Sequence, residues 1–74
     1  MGNTLTEVFF DDGEYFVGLL HNGARVGMNG VVALDVPWNH ALYPTMVALQ
    51  NASDIENFID TQVEAGRIDP RVFI

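Results

Sequence analysis

The sequence predicts an α+β fold: an N-terminal antiparallel β-meander of about four strands followed by one or two C-terminal helices packed on the sheet. Three observations point to it. The turn dipeptides Asp12-Gly13, Asn22-Gly23 and Asn29-Gly30 divide the first half into short runs of strand formers. A capping box, Ser53-Asp54-Ile55-Glu56, opens a stretch whose apolar residues recur at helical spacing. No helical pattern falls between the strands, and 74 residues make one small domain, 1–74, with no parallel crossover.

Asx-Gly pairs populate two-residue hairpin turns because both positions accept positive φ. The strands they bound are 4–10, 14–21, 24–28 and 31–36. Two-residue turns set the register, with Phe9 opposite Phe16, Val17 opposite Met28, Leu20 opposite Arg25 and Arg25 opposite Leu34. One face then carries Val8, Phe10, Tyr15, Val17, Leu19, Val26, Met28, Val31 and Ala33. The other carries Leu5, Phe9, Phe16, Leu20, Val32, Leu34 and Val36, interrupted by Glu7, Arg25 and the facing pair Gly18 and Gly27. An antiparallel sheet usually solvates one face, so two apolar faces predict cover on both sides.

Pro37 closes the fourth strand because it cannot donate to a ladder. Residues 39–51 read either as a helix over 44–50, with Pro44 in its first turn and Met46, Val47 and Leu49 available for packing, or as an edge strand. The capping box then starts a helix over 54–65, with the Ser53 hydroxyl as cap. Its inner face is Ile55, Phe58, Ile59 and Val63, and Gly66 stands at the left-handed C-cap. The tail 67–74 contains Asp69-Pro70, which favours an extended Asp69, and ends on Val72-Phe73-Ile74. An added strand or a docking arm is expected there.

Three arginines and no lysine against ten Asp and Glu give a net charge of −7. Nucleic acid is bound by neutralising phosphates, so direct DNA or RNA binding is excluded. Zero cysteines remove disulfides, thiolate metal sites and thiol nucleophiles. Apolar residues at 49% with only 18% charged argue against a disordered acidic tail. The start, Met-Gly-Asn-Thr-Leu-Thr, lacks a secretory signal and the chain has no membrane-length apolar run, so a soluble cytoplasmic protein is expected. Gly2 and Thr6 fit a loose acylation pattern, without the polybasic second signal that firm anchoring needs.

The inventory for catalysis is thin: one serine, already a cap, and His21 and His40 without ligand-type spacing. Asp11, Asp12 and Glu14 cluster at the first turn, but that loop is far shorter than a calcium loop. No enzyme activity, cofactor or metal is expected. Glu56, Asp60 and Glu64, at i, i+4 and i+8, form a carboxylate stripe with no basic residue interleaved. Such a stripe costs helix stability through like-charge repulsion and suits a basic partner. Trp38, Tyr43, Phe73 and Ile74 are aromatic or apolar groups that the expected core leaves over, and such groups are enriched at interfaces.

The expected function is therefore that of a small, acidic, homo-oligomeric protein-protein interaction module without catalytic activity. Its stripe engages a basic surface, with Glu56, Asp60, Glu64, Trp38, Phe73 and Ile74 as contacts. Inhibitors of nucleic-acid-binding surfaces belong to that class. A second reading is an oligomeric binder of a small, anionic or nucleotide-like ligand, held in a groove between Gly18 and Gly27 with Arg25, Glu7 and Tyr43 around it. A third is a structural subunit of a larger assembly.

Overall fold

The computed structural model describes residues 4–73; Gly2 of the acylation pattern and Ile74 of the apolar tail lie outside them. The first half forms an antiparallel sheet of four strands in sequential order, β1 (Glu7–Asp11), β2 (Tyr15–Leu20), β3 (Gly23–Met28) and β4 (Val31–Pro37). Two helices follow, α1 (Tyr43–Val47) and α2 (Ala52–Glu64), and then a short 3-10 turn, Pro70–Phe73. This is the expected α+β class.

Of the three turns, the third behaves as expected. Asn29 and Gly30 both have positive φ, 56° and 77°, and Met28 pairs with Val31. The first turn is displaced by its own carboxylates. Asp11 Oδ1 accepts from the Gly13 N–H at 2.9 Å, and Asp12 Oδ1 accepts from the Glu14 and Tyr15 N–H groups at 2.9 and 2.8 Å, so the chain reverses one residue later than Asp12-Gly13 predicts. In the second turn Gly23 is a strand residue paired with Leu20, and the reversal falls on His21 and Asn22. Gly23 is glycine because a Cβ there would collide with the Val36 carbonyl of β4.

These displacements slide the register by two residues, giving Tyr15–Met28, Val17–Val26 and Leu19–Ala24. The expected facing of Gly18 and Gly27 is therefore corrected: Gly18 lies opposite Arg25, and Gly27 opposite Phe16. Two β-bulges make a second correction. Phe9 in β1 and Ala33 in β4 are extra residues without a partner in the register, and each turns the strand beyond it over. Val8 thus moves to the outer face beside Gly18, whereas Leu34 and Val36 move to the inner face beside Val26 and Ala24. Arg25 faces Asp35, not Leu34.

The core lies on the inner face, where Val17, Ala24, Val26 and Val36 meet Met46, Leu49, Ile55, Phe58, Ile59 and Ile68. Both helices pack on this side, α1 against β2 and β3 and α2 against β2. The outer face has no helical cover among the described residues. Leu5 lies over Gly18 and the Phe16 ring over Gly27, while Val8 and Val32 are exposed.

Residues 39–51 resolve as helix rather than strand, though α1 is shorter than 44–50. Pro44 sits in its first turn and Met46 is wholly buried. The start of α2 corrects the expected cap. Asn51, in an extended conformation, accepts at Oδ1 from the Asp54 N–H and donates from Nδ2 to Asp54 Oδ2, both at 2.9 Å. This reciprocal pair starts the helix at Ala52 and leaves Ser53 exposed within the first turn. At the far end Gly66 has φ 79°, its N–H donates to the Val63 carbonyl, and the Arg67 N–H donates to the Gln62 carbonyl, the paired bonds of a Schellman motif.

The tail as described, through Phe73, forms neither a strand nor a free arm. The Asp69 carboxylate accepts from the Arg71 backbone N–H at 3.0 Å and from its guanidinium at 2.7 Å, which winds Pro70–Phe73 into a 3-10 turn. Ile68 is buried and Phe73 half-buried against the core. No helix among the described residues is long and apolar enough to cross a membrane.

Candidate functional site

All ten Asp and Glu side chains are exposed. Among the described residues the ion pairs are Arg25–Asp35 and Arg71–Asp69, each at 2.7 Å, so no carboxylate of α2 takes part in one. The Arg25 pair is bidentate, Nε to Oδ1 and Nη2 to Oδ2, across adjacent strands of the outer face. The Asp35 carboxylate, opposed by partial burial, holds the Arg25 guanidinium above its ordinary range. Arg67 Nη1 donates to Gln62 Oε1 at 3.0 Å. The acidic excess is thus concentrated on α2 and on the turn between β1 and β2.

Those two regions meet at Tyr15. Burial of this residue, followed by the negative charges of Glu56, Glu14 and Asp60, raises its phenol above the ordinary tyrosine range. Glu56 and Asp60 come from consecutive turns of α2 and Glu14 from the turn before β2. One largely buried side chain therefore senses carboxylates from both elements. Asp12, in the same turn, is held below the usual carboxylate range by the N–H groups of Tyr15 and Glu14. The β1–β2 turn carboxylates are both structural parts of the loop and contributors to its negative field.

The other expected contact residues are dispersed. Glu64 continues the stripe near the C-terminal end of α2. Trp38 is 66% exposed, and its backbone N–H donates to the Asn22 carbonyl, which places it at the end of the sheet remote from Glu14. Tyr43 and Phe73 pack against the core, so neither is left over. Glu7 lies on an edge strand, exposed. The space expected between Gly18 and Gly27 is occupied: a Cβ at the first would strike the Glu7 carbonyl, and one at the second the Phe16 ring. His21 is exposed, and His40 Nδ1 accepts from the Leu42 N–H at 3.0 Å, a local bond before α1. Among the described residues no three His, Asp or Glu side chains are grouped as metal ligands.

A concavity exists elsewhere, between α1 and the flank of α2 that bears Asn57 and Thr61. It encloses about 380 Å³ and is open to solvent, with Leu42, Thr45 and Leu49 along one side and Asp54, Asn57, Phe58, Thr61 and Gln62 along the other. The residue pattern does not reveal it, because it depends on how α1 and α2 cross. One signal is legible: Gln62 stands seven residues after Ile55, at core spacing, and a polar residue there is unusual. Gln62 is only 4% exposed. The chain matches no protein-family model, no curated protein and no solved structure.

Proposed function

We propose that this chain is a non-enzymatic acidic interaction module, whose face built from α2 and the β1–β2 turn engages a basic surface on another protein. The packing of α2 on β2, the strand that Glu14 precedes, supports this reading, because it sets the exposed carboxylates Glu56 and Asp60 and those of the first turn about Tyr15 as one negative field. Carboxylates outside ion pairs raise the local concentration of a basic partner and orient it before contact. A basic nucleic-acid-binding surface is the natural target class, since carboxylates along the helix can substitute for phosphates. The inhibitor role follows from occupancy of that surface.

A direct test titrates the chain with a fluorescent arginine-rich peptide. The double reversal Glu56→Lys with Asp60→Lys should weaken binding more than a control of equal charge change, Thr4→Lys with Glu7→Lys and Asn39→Lys. Affinity should also fall steeply as salt rises from ~0.05 to ~0.5 M. Equal losses in reversal and control would mean that only net charge matters, and the assigned face would be wrong.

A further inference from the structure

Resting on that reading, we infer that the groove between α1 and α2 seats an apolar anchor residue of the basic partner, flanked in the partner's sequence by lysine or arginine. Three observations select this occupant. The floor is apolar, with Leu49 and Phe58 buried and Leu42 half-buried. Its charged member is Asp54, and no lysine, arginine or histidine lines it. Asn57 and Thr61, on its α2 wall, each precede a stripe carboxylate by three residues, Asp60 and Glu64, so groove and stripe are neighbours on the helix.

Gln62 adds a polar requirement. Arg67 Nη1 donates to its Oε1, which orients the amide and leaves the Nε2 hydrogens directed elsewhere. No described residue accepts from Nε2, and no described buried polar side-chain atom is orphaned, so this donor reaches solvent, and Gln62 is one of the residues that line the groove. A peptide carbonyl beside an apolar side chain satisfies it. An anionic or fatty-acid ligand meets Asp54 and the stripe and is repelled. A volume of about 380 Å³ is at the low end for a small-molecule pocket, typically ~300–1,000 Å³, and suits an anchoring side chain.

The test uses two fluorescent peptides of equal length and equal positive charge, one with a central leucine between arginines and the other with glycine in its place. The whole chain should bind the leucine peptide about tenfold more tightly, a gain of one buried side chain. Thr61→Trp or, from the facing wall, Thr45→Trp should fill the groove and abolish that difference while leaving the glycine peptide unaffected. Gln62→Glu keeps an oxygen for Arg67 but removes the donor, and should weaken the leucine peptide several-fold although it adds negative charge. Circular dichroism confirms that each variant is folded.

Equal affinities for the two peptides, both lost on Glu56→Lys with Asp60→Lys, overturn the groove and leave the acidic face standing. Salt-insensitive binding, or none, overturns both. Perturbation of groove resonances by dilution of the chain alone would make a second copy the occupant and overturn the proposal.

Discussion

Tyr15 is opposed in its ionisation from two directions: burial of the ring, and the carboxylates of Glu56, Glu14 and Asp60. Its neutral form is favoured in the folded state, so its folded pKa lies above the unfolded value of ~10. The sign follows by linkage. The contribution to stability is fully present below pH ~10 and is lost as pH rises through the folded value. Near-ultraviolet titration should show Tyr15 forming tyrosinate above the ordinary range, and Glu56→Gln should bring that titration down. At the start of α2, Asn51→Ala removes the cap and should cost about 1 kcal/mol, lowering Tm by several degrees at ~4–8 °C per kcal/mol. Ser53→Ala, in the first turn and exposed, should stay within about 0.5 kcal/mol of wild type. Thermal melts of the two variants distinguish the caps.

Among the elements, both edge strands carry a β-bulge, Phe9 in β1 and Ala33 in β4. A bulge interrupts the row of donors and acceptors that an edge offers to another chain. The same bulges decide which side chains reach the core. Close strand approach sets a separate limit at Gly18, where a Cβ would meet the Glu7 carbonyl and the Val8 backbone. Backbone cannot yield as a flexible side chain can. Gly18→Ala should therefore destabilise by about 1–3 kcal/mol in denaturant melts, although alanine is the better strand former. A neutral result would mean that β1 can move away from β2 without loss.

For the whole molecule, a net charge of −7 on 74 residues means that folding gathers like charges, chiefly on α2 and the first turn. Screening should relieve this, so Tm should rise between ~0.05 and ~0.5 M sodium chloride; an unchanged Tm would show that the repulsion is negligible. The homo-oligomer expected from two apolar sheet faces and left-over apolar residues is open to test at the outer sheet face, which among the described residues exposes Val8 and Val32, while the bulged edges disfavour strand pairing. Sedimentation at micromolar concentration measures this directly. A dimer that persists in Val8→Lys with Val32→Lys would place its contact elsewhere.

Local chemistry determines the elements. Asn29-Gly30 accepts positive φ at both of its positions and the spacing of Ile55, Phe58 and Ile59 makes one apolar face, so the meander and α2 are legible in the residues alone, whereas Pro44 leaves 39–51 open between helix and edge strand until Met46 is buried in the fold. The acidic stripe is legible too, because i, i+4 spacing is a property of the helix by itself. What surrounds it is not. Register depends on whether Asp11 and Asp12 bond their own turn, inner and outer faces on two inserted bulge residues, and the groove on the crossing of α1 and α2. The faces and the crossing are competitions between contacts far apart in sequence, settled by which arrangement buries Val36, Met46 and Ile55 together. Only the folded chain brings Glu14 to Glu56 across Tyr15.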